Sequence, residues 1–294
     1  MKAARFQYHA PRTLPEALAL MAAHGGEGKV LAGGQSLVPT MAFRLARPAM
    51  LIDINGIAEL DRCRVEDGTL RIGALTRHAA FSPPVEAGPL GRLLADASAA
   101  IAHTPIRSRG TFCGSLAHAD PASEWCCVAL TLGAIMVAEG PRGRRGIAAA
   151  DWFRSIFTTA LREDELLVEA RLDLLGPGWC CGFNEFSRRA GDFALALCVA
   201  ALRIEGGRVM EARLGLGGVG ATPILAEEAA ASLLGTQADA AAIARAASLA
   251  AGCFEPTQGM NASPEYRQDL VRAVTGRALR QAVASHAAPG GAAP

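Results

Sequence analysis

The segment from Ala32 to Ser36 contains the residue types that proteins use to bind a phosphate group. Gly33 and Gly34 let the backbone approach a diphosphate closely, and consecutive N–H groups beside a hydroxyl accept its negative charge. A short apolar strand, Lys29 to Leu31, leads into the segment, and a helix-compatible stretch follows it. Spacing alone does not separate this interpretation from a plain strand-to-helix turn capped by Ser36, because serine is a common N-cap.

A second segment, between Arg107 and Glu124, combines small and polar side chains in a loop that leads to an apolar run. Its hydroxyl and N–H groups are suited to phosphate, and its carboxylates to ribose hydroxyls or an adenine amine. The alternative is a loop that caps a helix, with Asp120 as the N-cap, Pro121 at the first helical position and Glu124 supporting the same helix start. The side chains of interest are Thr111, Gly114, Ser115, His118, Asp120 and Glu124.

A third glycine-rich segment, Gly215 to Gly220, matches the spacing G-x-G-x-x-G of dinucleotide-binding loops but not their context. Pro223 falls where the following helix should open, and the preceding strand belongs to a predicted hairpin instead of a βαβ unit. We therefore interpret these glycines as a bend at the end of a sheet. No zinc-ligand spacing, nucleophile elbow or P-loop lysine pattern occurs, which predicts no metal site and favours a cofactor that supplies its own reactivity.

Composition disfavours several classes of protein. The 294 residues are 51% hydrophobic and 19% charged, which is typical of a folded chain of about two domains. The formal net charge of +1 disfavours nucleic acid or an anionic membrane as a partner. The longest uncharged apolar run, Trp125 to Ala138, is too short to span a bilayer, and no secretory signal is recognised, so we expect a cytoplasmic protein without a membrane span. The eight cysteines have no disulfide-framework spacing and are predicted to be reduced and mostly buried.

The secondary-structure elements that would position these segments change from a mixture of helix and strand to mainly strands along the first half of the chain. A helix opening at Pro15 and ending near His24, with buried strands at Lys29 and Met50, predicts a small α/β layer. From Thr69 onward strands dominate, interrupted by a helical stretch. The predicted strands lie in TLRIGALT, IMVAEG, RGIAAADW and ELLVEARLDL, and the helical stretch covers 85–102.

The second half begins after a candidate boundary at Gly176–Gly178. Two strands flanking Gly206 and Gly207 predict a hairpin. Alanine-rich helices are predicted to follow over 224–234, 238–252 and 264–286.

The segments AGGQSLVPTMAFRLARPAMLIDING and IRSRGTFCGSLAHADPASEW together resemble the FAD-binding medium subunit of molybdenum hydroxylases. This family includes the medium subunits of carbon monoxide dehydrogenase and the flavin domain of xanthine dehydrogenase. The resemblance continues through ADWFRSIFTTALREDELLVEARL, FNEFSRRAGDFALA and GLGGVGATPILAEEAAASLLG, so it covers nearly the whole chain. Two phosphate-loop motifs at a suitable separation are far more specific than either alone, and they favour ligand binding over the two capping alternatives.

The resemblance implies an α+β fold in two domains. Residues 1–176 would form an FAD-binding domain in two α/β parts, of the PCMH type shared with vanillyl-alcohol oxidase. Residues 177–286 would form a smaller domain of antiparallel sheet plus helices, of the carbon monoxide dehydrogenase flavoprotein C-terminal type. Residues 287–294 would form a flexible tail.

The resemblance also implies which residues contact FAD, and it implies no catalytic side chain in this chain. The first loop would hold the pyrophosphate, the second would form the opposite wall, and the residues after it would face the nucleotide. A leucine further along would pack near the flavin or adenine. The implied FAD-binding residues are Lys29, Val30, Leu31, Ala32, Gly33, Gly34, Gln35, Ser36, Thr111, Gly114, Ser115, His118, Asp120, Glu124 and Leu166. Cys113 stands where family members commonly have glycine, so its backbone needs a φ below zero or its side chain needs room beside the ligand.

The function implied by the resemblance is electron transfer. Electrons taken at a molybdopterin centre in a large subunit would pass through two [2Fe–2S] clusters in a small subunit to FAD here, and then to an external acceptor, in a dimer of heterotrimers. The chain has no ferredoxin-type cysteine run, which agrees with clusters held elsewhere. Two alternatives stay open: a self-sufficient FAD-dependent oxidase or reductase of the same fold, and a scaffold that lost its flavin, for which Cys113 is the one supporting feature.

Overall fold

The N-terminal part of the protein is a small α/β layer. In the computed structural model, which describes residues 2–255 and 262–287, its elements are β1 (Gln7–His9), α1 (Leu14–His24), β2 (Gly28–Leu31), α2 (Leu37–Ala42) and β3 (Met50–Asp53). The three strands are parallel, in the order β1-β3-β2. Leu14, Ala17 and Met21 are the buried residues of α1, and their spacing gives the helix one apolar face. The predicted helix and both predicted strands are confirmed.

A five-stranded antiparallel sheet with its helices forms the second part of the same domain. The sheet order is β4-β5-β10-β6-β7, and β8 and β9 form a separate two-stranded hairpin. The elements are β4 (Cys63–Glu66), β5 (Thr69–Gly73), α3 (Pro89–Ala100), α4 (Thr104–Arg107), α5 (Phe112–His118), α6 (Glu124–Thr131), β6 (Ile135–Gly140), β7 (Gly143–Ala148), α7 (Ala149–Trp152), β8 (Phe153–Ser155), β9 (Thr158–Thr159) and β10 (Leu166–Asp173). Phe81, Phe112 and Trp125 are fully buried, with ring centroids 4.8–5.6 Å apart, so aromatic packing fixes α5 and α6.

The C-terminal part is a four-stranded antiparallel sheet in chain order, followed by helices. Its elements are β11 (Trp179–Phe186), β12 (Ala196–Glu205), β13 (Arg208–Gly217), β14 (Ile224–Leu225), α8 (Glu227–Ala231), α9 (Ala240–Gly252) and α10 (Pro264–Ala287). The turn between β12 and β13 contains Gly206 and Gly207, both with positive φ, as the hairpin prediction requires. The predicted α+β architecture is therefore confirmed.

Strand β12 is buried on both faces. Leu197, Val199 and Ala201 belong to the core of the N-terminal half, whereas Cys198 and Ala200 belong to the core beneath the C-terminal helices. This alternation follows from the two-residue period of a strand. We call the surface where α3 and α6 contact β11, β12 and β13 the domain seam.

Gly215, in the rejected dinucleotide motif, has a packing role at the domain seam. A Cβ atom there would lie 1.8 Å from Thr131 Oγ1 and 3.3 Å from Cys127 Sγ, both on α6. Pro121 O, just before α6, accepts a hydrogen bond from Gly218 N at 2.7 Å. These glycines let α6 approach β13 closely, which supports the structural interpretation of the motif.

We expect Gly215→Ala to destabilise the protein by about 1–3 kcal/mol, because the new methyl group overlaps Thr131. Thermal unfolding measures the effect. Adding Thr131→Ala removes the nearest atom, so the double variant should be less destabilised than the sum of the two single variants. Strict additivity would contradict the close approach.

Three parts of the sequence-based description are wrong. The predicted helix over 224–234 begins with β14, because Leu216 of β13 pairs with Ile224, and only Glu227–Ala231 is helical. The residues AADW, included in a predicted strand, form α7. Strand β11 was not predicted. The proposed boundary at 176–177 lies between β10 and β11, and residues 288–294 of the proposed tail lie outside the described residues.

The thiols agree with the prediction of reduced, mostly buried cysteines. All eight are free, and six of them are buried: Cys113, Cys126, Cys127, Cys180, Cys181 and Cys198. Within 2–255 and 262–287, no group of three His, Cys, Asp or Glu side chains is placed to hold a metal ion. In the same part of the chain, no helix combines the length and the apolar character needed to cross a bilayer.

Candidate functional site

A cleft of about 350 Å³ opens where β2 and β3 end. Its walls are the segment from Leu31 to Gln35, the start of α2 at Val38, Asp53 at the end of β3, and Asn55 after it. Arg109, from the second glycine-containing segment, completes it. Loops that follow the carboxyl ends of parallel strands meet at one sheet edge, which is why these residues converge.

The first loop offers four consecutive backbone N–H groups without a described acceptor. Within the part of the chain that the structure describes, the N–H groups of Gly33, Gly34, Gln35 and Ser36 donate to no carbonyl or side chain. Such a run forms a nest that binds an anion. Ser36 occupies the N-cap position of α2, yet its side chain makes no capping bond, so the alternative in which it serves as a helix cap is wrong.

The glycines of the first loop permit contact with the second segment. A Cβ atom on Gly33 would lie 2.5 Å from Arg109 O and 2.6 Å from the Cα of Gly110. Gly34 has φ +73°, a conformation that other residues rarely adopt. The two segments therefore lie against each other at Gly33 and Arg109.

Thr111 is buried and acts as the N-cap of α5, where its hydroxyl accepts a hydrogen bond from Gly114 N at 3.0 Å. Gly114 and Ser115 are half-buried beside it. Cys113 lies inside α5, with a right-handed helical backbone, and its Sγ donates to Ile72 O at 3.5 Å. The thiol thus packs into the core, where burial raises its pKa. The departure from glycine therefore gives no support to a scaffold that lost its flavin.

The residues after α5 make their hydrogen bonds and ring contacts with nearby residues. His118 lies with its ring centroid 4.8 Å from that of Phe157, and burial lowers the pKa of the imidazole. Asp120 Oδ1 accepts from Ala122 N at 2.9 Å. Because the N-cap of α6 is Ser123, the alternative that makes Asp120 the cap is wrong.

The structure divides the predicted FAD-binding residues into two groups. Leu31, Ala32, Gly33, Gly34 and Gln35 line the cleft. The lining does not include Lys29, Val30, Ser36, Thr111, Gly114, Ser115, His118, Asp120, Glu124 or Leu166. Leu166 is 2% exposed and opens β10 inside the core. Sequence reasoning missed the lining residues Val38, Pro39, Asp53, Asn55 and Arg109, although the polar residues of LIDIN directly after a buried strand were an available signal.

Two half-buried carboxyl groups, one from each half of the chain, influence each other's pKa. Glu124 opens α6, and Glu185 lies in β11, near enough that each carboxyl group shifts the pKa of the other. Burial and then the neighbouring Glu185 raise the pKa of Glu124, and burial raises the pKa of Glu185. Glu185 Oε2 is buried and receives no N–H or hydroxyl donor from the described residues. Because neighbouring carboxylates of like charge do not readily both ionise, we expect the two groups to share a proton.

We expect this carboxyl pair to lower the free energy of unfolding as pH rises from about 5 to about 9. Because the folded-state pKa values are raised, the stabilisation is complete below the usual glutamate pKa of about 4.3 and is lost as pH rises through the folded-state values. Glu185→Gln removes one ionisation, so between pH 5 and pH 9 the variant should lose about 1–3 kcal/mol less stability than the wild type. The measurement is the thermal midpoint at both pH values.

The matched control is Glu228→Gln, which changes an exposed glutamate on α8. It should follow the wild-type pH profile. If Glu185→Gln and the wild type have parallel profiles, the carboxyl pair does not share a proton.

Comparisons with known proteins agree with the fold. Residues 4–172 match the family model described as the FAD binding domain in molybdopterin dehydrogenase, and residues 182–282 match the CO dehydrogenase flavoprotein C-terminal domain. The 6-hydroxypseudooxynicotine dehydrogenase complex subunit alpha of Paenarthrobacter nicotinovorans is 38% identical over 284 residues, which is 96% of each chain.

Two solved structures are similar over almost the whole chain. Carbon monoxide dehydrogenase from Hydrogenophaga pseudoflava superimposes with a TM-score of 0.93 and 38% identity, covering 97% of this chain and 99% of that one. Quinoline 2-oxidoreductase from Pseudomonas putida 86 gives a TM-score of 0.92 and 35% identity with the same coverage.

The two domain matches define an FAD-binding oxidoreductase component, and the cleft lies at the glycine-rich loop of its first domain. The chain belongs to the family of FAD-binding medium subunits of molybdenum hydroxylases, which includes the carbon monoxide dehydrogenase medium chain. The family resemblance and the oxidoreductase class predicted from the sequence are confirmed.

Proposed function

We propose that this chain is the FAD-carrying electron-transfer subunit of a molybdenum hydroxylase complex. The observation that carries the proposal is the cleft lined by Gly33, Gly34 and Gln35, whose N–H groups, like that of the adjacent Ser36, donate to no acceptor among the described residues. The chain also matches the family over both domains. Bound FAD supplies the capacity to accept electrons singly and pass them on in pairs. The chain itself binds and orients the cofactor, and no side-chain acid or base is required of it.

The residues of the cleft fit the diphosphate of FAD. The N–H groups from Gly33 to Ser36 would hold the phosphate oxygens, and Arg109 would neutralise part of their charge. The other predicted contacts, including the second loop, the residues His118 to Glu124, and Leu166, stay predictions. We propose that they contact the part of the nucleotide that extends beyond the cleft.

The proposed partners hold the other redox centres. A large subunit would carry molybdopterin and a small subunit two [2Fe–2S] clusters, in a dimer of heterotrimers in the cytoplasm, with an external electron acceptor. Relatives support assembly, since their names include a complex subunit alpha, a medium chain and a subunit beta. Those names also refer to unlike substrates, namely 6-hydroxypseudooxynicotine, carbon monoxide and caffeine. We therefore propose that the partner subunit, and not this chain, selects the substrate.

The first experiment is cofactor analysis of the purified chain. It should be yellow, with about one FAD per chain by absorbance after extraction. A colourless product that stays empty when FAD is added would count against the proposal.

The second experiment separates electron transfer from independent catalysis. The isolated chain should not turn over organic substrates, whereas the complex purified from its source should reduce an acceptor and lose that activity when its FAD is removed. Steady substrate turnover by the isolated chain would favour the self-sufficient oxidase or reductase instead.

A further inference from the structure

One arginine joins the two segments that meet at the cleft. Arg77 lies between β5 and α3, where its backbone pairs with that of Thr111. Its guanidinium donates to Arg109 O at 2.5 Å and to Asn55 Oδ1 at 2.6 Å. A planar guanidinium presents these donors in a fixed fork, so it sets the spacing of the two acceptors.

Asn55 links Arg77 to the first loop through hydrogen bonds. Its Nδ2 donates to Ala32 O at 2.8 Å and to Asp53 Oδ1 at 2.5 Å. Asp53 Oδ1 also accepts from Asn55 N at 2.9 Å, and its Oδ2 accepts from Tyr8 Oη at 2.5 Å. We call the three residues Arg77, Asn55 and Asp53 the loop clamp. It links the carbonyl just before the free N–H groups to the second segment.

Positive charge from Arg77 and Arg109 lies at and beside the cleft. Arg109 lines the cleft, and neither Arg77 nor Arg109 forms an ion pair with another described residue. Burial and then the nearby Arg109 lower the pKa of Arg77. The carboxylate of Asp53 also lies at the cleft, with both oxygens occupied by Tyr8 and Asn55. An anion in the cleft would relieve the repulsion between the two guanidinium groups.

We infer that Arg77 is a positioning residue for the diphosphate of FAD: through Asn55 and Arg109 O it holds the two loops at the spacing at which the N–H groups of Gly33 to Ser36 bind the phosphates. The inference rests on the proposed function. It also explains the position of Asn55 two residues after β3, where its amide reaches both loops. Arg109 supplies charge to the same site and does not need the clamp's geometry to do so.

The test is FAD titration of the apoprotein of Arg77→Met, a variant that keeps an unbranched apolar stem in place of the arginine stem and removes both hydrogen bonds. We expect the Kd for FAD to rise at least tenfold. Arg77→Lys keeps the positive charge but not the planar pair of guanidinium donors, so its Kd for FAD should lie between those of the wild type and Arg77→Met. Arg154→Met, at an exposed arginine of β8, is the control and should bind FAD as the wild type does.

A second readout separates positioning from simple loss of structure. At saturating FAD, the ³¹P NMR resonances of the diphosphate should shift in Arg77→Met and not in Arg154→Met. Asn55→Ala should reproduce both effects, and combining it with Arg77→Met should add little, because the two residues act through one connection. Asn55→Ala also serves if Arg77→Met fails to fold.

The outcomes distinguish this inference from the function on which it rests. A wild-type protein that binds no FAD contradicts the proposed function. A wild-type protein that binds FAD, together with an Arg77→Met variant of unchanged Kd and unchanged ³¹P resonances, overturns the loop clamp alone.

Discussion

A Gly33→Val, Gly34→Val double variant should purify without FAD while its far-UV circular dichroism stays near that of the wild type. A side chain at Gly33 meets the backbone of Arg109 and Gly110 at 2.5–2.6 Å, so the two loops must separate. Gly34 has φ +73°, which valine strongly disfavours. Both changes disturb the run of free N–H groups, whereas the sheets lie outside the loop. We expect FAD affinity to fall by more than about 100-fold, on the order of 3 kcal/mol.

The control for this prediction is Gly176→Val. Gly176 is exposed, has no positive φ, and has no atom within 4 Å of the position of an added Cβ. The control should retain FAD at the wild-type ratio. Full flavin occupancy in the double variant would mean that the Ala32–Ser36 loop is not the diphosphate site.

A Glu165→Gln variant should lose a large share of the protein's folding stability. The side chain of Glu165 is only 3% exposed and accepts from Arg145 Nε and Nη2, both at 2.8 Å, and from Arg162 N at 3.0 Å. Removing its charge leaves two arginines without their partner. Because both arginines are partly exposed, we expect about 2–4 kcal/mol, somewhat below the cost for a fully buried pair. The thermal midpoint should fall by roughly 5–15 °C.

The same carboxylate predicts a dependence on acid pH. The hydrogen bond from Arg145 holds the pKa of Glu165 at about 2. Because this pKa is depressed, the stabilisation is present above the usual glutamate pKa of about 4.3 and is lost as pH falls through about 2. In Glu165→Gln this loss between pH 5 and pH 2 should be smaller.

A neighbouring ion pair provides the control. Glu139 pairs with Arg144 across β6 and β7, but the side chain of Arg144 is 60% exposed. Exposed pairs contribute about 0–1 kcal/mol, so Glu139→Gln should move the thermal midpoint by roughly 3 °C at most. Equal losses of stability in Glu165→Gln and Glu139→Gln would contradict the expectation that burial makes the Glu165 ion pair stronger.

Local patterns in the sequence were sufficient where an element depends on its own residues. Helix α1 and strands β2 and β3 lie where periodicity and glycines predicted them, and the first loop is at their edge. Strand β11 was missed because its residues WCCGFNEF have no regular alternation, and it becomes a strand through pairing with β12. Residues 224–225 became a strand for the same reason, since pairing with β13 overrides the helical propensity of the alanines that follow.

The site was predictable only in part. The backbone groups of Ala32 to Ser36 are contiguous, so their composition was enough to indicate an anion site. The loop clamp depends on Arg77, Asn55 and Asp53, and the contact from Arg77 to Arg109 spans 32 residues. No local spacing reports such a contact. Likewise, the direction of the Cys113 thiol toward Ile72 follows from the placement of α5 against β5, which the sequence does not display.

Because alternate side chains of β12 pack into the hydrophobic core of each half, neither half has a complete core without this strand. A fragment ending at residue 176 would leave the surfaces of α3 and α6 that contact the C-terminal strands open to water, and a fragment starting at 177 would expose Leu197 and Val199. Neither piece has a complete interior, so each would be prone to aggregation. The gene therefore cannot be divided at this boundary without joint production of both fragments, and heat should melt the chain in a single cooperative step.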